Sequence, residues 1–297
     1  MADFMLKTFY KQRDEFNRMS DERLKTMPFP EGVTEYSNIP YIPNSSDTAH
    51  RLDVYRPTVA GSELLPVIID VHGGGMILGN KEFNRSFCGR LSAMGFLVFS
   101  LEFRLVPEVT MYDQFADLSA AFDYIKELIP QYNGNPDCIY AMGDSGGACL
   151  LTYTVAMQKS KALADAAGVS PSSLNIRALG LISGMFYTTK FDKIGLFLPK
   201  YFYGKDYKKS AFAPYTNPEH PDIVTSLPPC FLITSQDDNL QHYTLNFEKA
   251  LTKHDVPHSL LNYPKNPKLV HAFCVFEPFM EESIDAVNKM VEFLRKY

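Results

Sequence analysis

Two stretches decide how this chain is read: Val67-Ile68-Ile69-Asp70-Val71-His72-Gly73-Gly74-Gly75 and Cys138-Ile139-Tyr140-Ala141-Met142-Gly143-Asp144-Ser145-Gly146-Gly147. Each is a short, mostly apolar run that stops at a glycine-rich turn. Runs of this kind suit strands covered on both faces. A G-x-S-x-G turn between a strand and a helix holds a serine hydroxyl exposed on a tight bend. A glycine-rich loop after another strand can aim backbone N–H groups at a developing oxyanion. Either one alone can also be read as a plain chain reversal, because glycine tolerates positive φ. In this order, after two strand-like runs, the pair points to acyl transfer.

Working outward, strand-like runs recur at Val33–Ile39, His50–Arg56, Val67–Val71, Phe96–Leu101, Cys138–Met142, Ala178–Ser183, Cys230–Thr234 and Ser259–Tyr263. Helical patterns lie between them, which predicts a largely parallel α/β sheet with helices on both faces. Arg51-Leu52-Asp53-Val54-Tyr55 alternates polar and apolar residues, so this strand is expected near an edge or antiparallel. Asn80 is placed to cap a helix reaching about Met94, Tyr112–Ile129 carries apolar residues at helical spacing before Pro130, and a helix follows the serine from Gly147. Leu240–Leu251 and Met280–Leu294 complete the helices. Two stretches break the alternation. Residues 1–30 form an amphipathic helical segment, and residues 186–229 form a long connection rich in Tyr, Phe and Pro. Long connections with their own aromatics are usually functional covers. Both are expected to form one cap over the serine, on a single domain of 297 residues.

Composition narrows the class. A net charge of −5 with no basic stripe argues against nucleic acid as a partner. The first twenty residues interleave charges with aromatics, so neither a signal peptide nor a membrane span is expected there. Five cysteines, Cys88, Cys138, Cys149, Cys230 and Cys274, are odd in number, dispersed and mostly inside apolar runs. They read as reduced core residues of a cytoplasmic protein, with neither a disulfide framework nor a metal site.

A serine hydroxyl at neutral pH needs a base within hydrogen-bond reach, and the base needs an orienting carboxylate. In a doubly covered parallel sheet these partners belong in loops at the C-terminal ends of later strands, acid before histidine. His254 and His258 precede the last strand, at the wrong end of the sheet, and His242 sits within a helical pattern. His271 follows the last strand and precedes the final helix, which makes it the candidate base. The acid should lie in Ser235-Gln236-Asp237-Asp238-Asn239, where two adjacent carboxylates compete.

The motifs resemble those of the hormone-sensitive-lipase-like branch of the α/β-hydrolases. The branch carries H-G-G-G, G-D-S-A-G-G, D-P-L and a C-terminal H-x-F. Here they are matched by His72–Gly75, Gly143–Gly147, Asp238-Asn239-Leu240 and His271-Ala272-Phe273, with Phe103–Glu108 similar to the branch's Y-R-L-A-P-E segment. The resemblance covers about residues 50–297. It implies an α/β-hydrolase fold of eight strands, a cap from the N-terminus and from an insertion after the sixth strand, and carboxylesterase activity without metal or organic cofactor. It also favours Asp238 over Asp237 as the acid. Gly146 stands where the branch carries alanine, which is expected to loosen the turn slightly.

The expected mechanism is a serine hydrolase acting through Ser145, Asp238 and His271. The oxyanion would meet the N–H of Gly146 and two of the N–H groups of Gly73, Gly74 and Gly75. His72 is expected to support that loop. The resemblance implies a small ester with a short- to medium-chain acyl group, acetyl included, and the Phe/Tyr-rich segment 186–215 is expected to bind it. An amide hydrolase such as an aryl formamidase would use the same groups, and a non-catalytic ligand-binding homologue would lack one of them. The last strand or final helix could support a homodimer.

Overall fold

Successive residues of the central strands enter different cores, which explains why their sequences read as continuous apolar runs. Val67, Ile69 and Val71 pack into one core and Ile68 into the other; Leu97, Phe99 and Leu101 enter the first and Val98 the second. The same alternation recurs in Cys230 and Leu232 against Phe231 and Ile233.

The computed structural model describes residues 2–59, 61 and 63–297; Met1, the first residue of the expected N-terminal cover, lies outside them. The strands are β1 (Val33–Pro40), β2 (Arg51–Pro57), β3 (Leu65–Val71), β4 (Leu97–Leu101), β5 (Gly134–Asp144), β6 (Ala178–Ile182), β7 (Cys230–Ser235) and β8 (His258–Tyr263). They form one sheet in the order β1-β2-β4-β3-β5-β6-β7-β8. Only the β1–β2 and β2–β4 pairings are antiparallel. The alternating strand around Asp53 is therefore antiparallel, as its pattern predicts. Asp53 itself does not face water, however: it is buried and its carboxylate lies 3.0 Å from the equally buried Lys81 ammonium.

The helices are α1 (Ala2–Thr26), α2 (Arg85–Ala93), α3 (Met111–Leu128), α4 (Ser145–Met157), α5 (Lys161–Ala167), α6 (Lys193–Phe197), α7 (Pro199–Tyr203), α8 (Pro221–Val224), α9 (Gln241–Lys253), α10 (Phe273–Phe276) and α11 (Glu281–Leu294). Asn80 caps a 3₁₀ turn, Lys81–Asn84, and α2 begins only after it. α3 starts at Thr110, whose hydroxyl and backbone form a capping box with Asp113. Its apolar stripe of Phe115, Leu118, Phe122 and Ile125 is fully buried. Side chains of that size each contribute about 1.5–3 kcal/mol on leaving water. α3, α4 and α9 cover one face; α2 and α11 cover the other.

The two irregular segments settle differently. α1 is held by buried Phe9, by Phe16 against Phe83, and by polar clamps. Arg13 donates to the Ile77 and Val106 carbonyls and pairs with Glu108, while Arg23 donates to the Phe83, Val275 and Phe276 carbonyls. In residues 186–229, Phe186, Phe202, Tyr203 and Phe212 are buried in the α3–α4–α9 core. Phe212 packs against both Phe115 and Tyr153, and Phe186 stacks on Phe247.

Candidate active site

Strands β3 and β5 are adjacent and parallel, with Val71 opposite Gly143. The two glycine-rich turns that follow them therefore stand side by side at the C-terminal edge of the sheet, although 71 residues separate Gly73 from Asp144. Ser145 has φ 49°, the left-handed region, so its side chain stands off the start of α4. The glycines allow this crowding. A Cβ on Gly74 (φ 109°) would lie 1.9 Å from the Leu78 carbonyl oxygen, and one on Gly146 would lie 2.9 Å from the Gly75 nitrogen. Gly146 thus lets the two turns approach each other closely.

His271 lies between Ser145 and Asp238. Its Nε2 is 2.9 Å from the Ser145 Oγ and its Nδ1 is 2.7 Å from an Asp238 carboxylate oxygen. A carboxylate only accepts, so Nδ1 carries the proton and Nε2 presents its lone pair to the serine hydroxyl. Asp238 is fixed further by the Leu240 N–H at 2.8 Å and the Thr234 hydroxyl at 2.9 Å. Burial alone would raise its carboxyl. The hydrogen bond and charge of His271, with the Leu240 N–H, hold it below the usual range instead. The neighbouring Asp237 points elsewhere, accepting the Asn266 N–H at 2.6 Å. The histidines set aside on sequence lie apart: His258 begins β8 and faces Glu248, His242 is on α9, and His254 caps its C-terminus.

His72 is sealed beneath the first glycine turn. Its Nδ1 is 2.8 Å from the Gly73 carbonyl oxygen and its Nε2 is 3.0 Å from Glu102, and the ring stacks on Phe103. Burial lowers its pKa, but Glu102 and the Gly73 carbonyl outweigh this and raise it overall. Both ring nitrogens face acceptors and neither meets a hydroxyl, so the ring is placed as a support. The Gly73 N–H donates to the Asp144 carboxylate at 3.0 Å. Of the three glycines named for the oxyanion, Gly73 is therefore committed elsewhere, which leaves the N–H groups of Gly74 and Gly75 beside that of Gly146.

Several residues here escaped the sequence reading. Asn84 donates to Asp144 and to Asp70. Burial, then the neighbouring Asp144, push Asp70 up to about 7. Ser183 accepts the Ala272 N–H at 3.0 Å, pinning the turn that carries His271. Ser183 is the first polar residue after an apolar run at the active end of the sheet, so the rule that found Ser145 could have found it. Asn84 carries no such signal.

A cavity of about 310 Å³ opens on Ser145 and His271. Its apolar wall comes from Phe16 and Met19 of α1, with Leu78, Phe83 and Phe276. No residue of 186–229 lines it. Phe186, Tyr187, Phe202, Tyr203 and Phe212 of that segment pack into the core, Phe191 and Phe197 are exposed, and of the two irregular segments α1 contributes to the cavity's wall. Among the described residues, no cluster of His, Cys, Asp and Glu is arranged to hold a metal ion.

Residues 68–275 match the family model described as the α/β hydrolase fold. The probable isoprenylcysteine alpha-carbonyl methylesterase ICMEL1 of Arabidopsis thaliana is 30% identical over 64% of this chain and 41% of its own length. This chain therefore spans less than half of that relative. Carboxylesterase NlhH of Mycobacterium tuberculosis is 26% identical over 82% of this chain and 77% of its own. Among solved structures, Esterase B of Lactobacillus rhamnosis superposes with a TM-score of 0.92 at 25% identity, covering 100% of this chain and 96% of that one. A second Esterase B structure, equal in TM-score and identity, concerns inhibition with a C4-C4 tributyrin phosphonate. With its motifs at these positions and its match across most of the sheet, the chain belongs to the α/β-hydrolase fold family, in the hormone-sensitive-lipase-like branch.

Proposed function

We propose that this protein is a serine carboxylesterase. The observation that carries the proposal is the continuous line from Ser145 Oγ through His271 to Asp238, with contacts of 2.9 and 2.7 Å. Ser145 attacks the ester carbonyl while His271 Nε2 takes its proton. Asp238 holds the tautomer and stabilises the imidazolium that forms. The oxyanion meets the N–H groups of Gly74, Gly75 and Gly146, each such donor being worth about 3 kcal/mol in the barrier. His271 then protonates the departing alcohol. Water, activated by the same histidine, releases the acid from the acyl-enzyme.

A short- to medium-chain acyl group suits the cavity, whose volume of about 310 Å³ lies at the small end for ligand sites and whose α1 wall is apolar. Inhibition of Esterase B by a tributyrin phosphonate supports the same range. α1 acts as the cover of the acyl site. A cytoplasmic setting fits five free cysteines, four of them buried.

Labelling with a fluorophosphonate tests the nucleophile: the adduct belongs on Ser145 and is lost in Ser145→Ala. Parallel assays of an acyl-length series and of one matched amide test the substrate class. A protein that resists the label, or that cleaves the amide faster than its ester, overturns the proposal.

A further inference from the structure

Residues 190–209 hold six lysines against two aspartates, in a chain whose net charge is −5. The same stretch carries three of the protein's exposed large apolar side chains within seven positions: Phe191 at 93% exposure, Leu196 at 54% and Phe197 at 52%. Single exposed apolar residues are ordinary on a protein surface. Three within seven positions, in a stretch that also exposes Lys193, Lys200, Lys205, Lys208 and Lys209, are not. None of these five lysines forms an ion pair among the described residues. Asp192, the acid nearest the phenylalanines, is turned inward: one carboxylate oxygen caps the Gly195 N–H that begins α6 and the other accepts the Tyr243 hydroxyl. Asp192 is thereby engaged within the fold, which leaves Asp206 as the exposed acid of the stretch against its exposed lysines. Phe191 and Leu196 share one open groove with Lys190 and Lys208, so apolar and basic groups meet there.

We propose that this patch, built on α6 and α7, docks the protein peripherally on an anionic lipid surface. Phenylalanines that protrude, with lysines around them, match what an interfacial anchor needs: apolar groups that enter the headgroup layer and cations that meet its phosphates. A folded protein partner would need a shaped surface against which these side chains could pack. Phe191, almost wholly exposed, offers a projection suited to insertion. Among the described residues no helix is long and apolar enough to cross a membrane, so the contact is peripheral. The patch also connects to the cavity. Phe9 of α1 packs edge-on against Tyr201 of α7 at 5.0 Å, and Phe16 and Met19 of the same helix line the cavity. At 1.5 Å per residue, these positions lie roughly 10–15 Å apart along the helix. Docking would therefore hold the acyl site within reach of esters dissolved in the lipid.

Flotation with large unilamellar vesicles tests this without relying on the catalytic assignment. The wild-type chain should float with vesicles of phosphatidylcholine and phosphatidylglycerol at low salt, less so at high salt, and not with phosphatidylcholine alone. The pairs Phe191→Ser/Phe197→Ser and Lys193→Glu/Lys200→Glu should each weaken partitioning by on the order of tenfold or more, with melting by circular dichroism unchanged. No flotation with anionic vesicles, equal flotation with neutral ones, or full retention by both double variants would overturn the proposal.

Discussion

Two histidine–carboxylate pairs stand at the same edge of this sheet, and their difference teaches what makes one of them reactive. His72 and Glu102 are sealed, with side-chain exposures of 1% and 14%; His271 is 25% exposed above an Asp238 with none. In both pairs a carboxylate holds one ring nitrogen. The other nitrogen of His72 faces a carbonyl oxygen, which has no proton to give. The other nitrogen of His271 faces a hydroxyl, which can surrender a proton to it. A histidine beside an acid is thus a support or a base according to what its second nitrogen meets.

The strongest way to break this comparison is at the hydroxyl. Ser145→Ala should cut turnover by on the order of a million-fold, measured as kcat on a soluble ester, with little change in melting temperature. Next comes the acid. Asp238→Asn should lower kcat by about ten-thousand-fold, because the amide can donate and favours the wrong tautomer. Asp237→Asn should stay within a few-fold, and the reverse ranking would reassign the acid. His72→Gln should act mainly on stability. Leaving Glu102 without its partner should cost about 3 kcal/mol in urea unfolding, with a smaller fall in kcat through the loosened glycine turn.

The smallest effect is in pH, where the two pairs should fail at opposite ends. The folded pKa of His72 is raised, so its stabilisation is complete below the ordinary imidazole value and lost as pH rises through the folded one. The folded pKa of Asp238 is depressed, so its contribution is present above the ordinary carboxyl value and lost as pH falls through the folded one. The gap in melting temperature between wild type and His72→Gln should therefore shrink on the alkaline side. That between wild type and Asp238→Asn should shrink in acid. Gaps that are flat with pH would mean that neither pair is ionised as its partners indicate.

The two covering segments offer a second contrast, and it marks where sequence reading lost its grip. Both break the strand–helix alternation, and both carry apolar residues without a matching strand. α1 turns Phe16 and Met19 toward the cavity. The richer aromatic segment turns Phe202, Tyr203 and Phe212 into the core. Composition alone does not distinguish an aromatic that waits for a ligand from one that already has a partner. That depends on what α3 and α4 present beneath it. Asn84 was hidden for a related reason: its role rests on Asp70 and Asp144, which reach it from two different strands.

Sequence by itself determined the mostly parallel sheet and placed Ser145 and His271 at the same end of it. These follow from local chemistry: apolar runs must be covered on both faces, and the first polar residue past such a run falls at the strand's end. Only tertiary structure set Asp238, not Asp237, against His271, gave the Gly73 N–H to Asp144, and put α1 residues in the wall of the cavity. Each of those choices depends on a direction rather than a position. Directions are set by partners far along the chain: 33 residues for His271 with Asp238, 71 for Gly73 with Asp144, and 126 for His271 with Ser145.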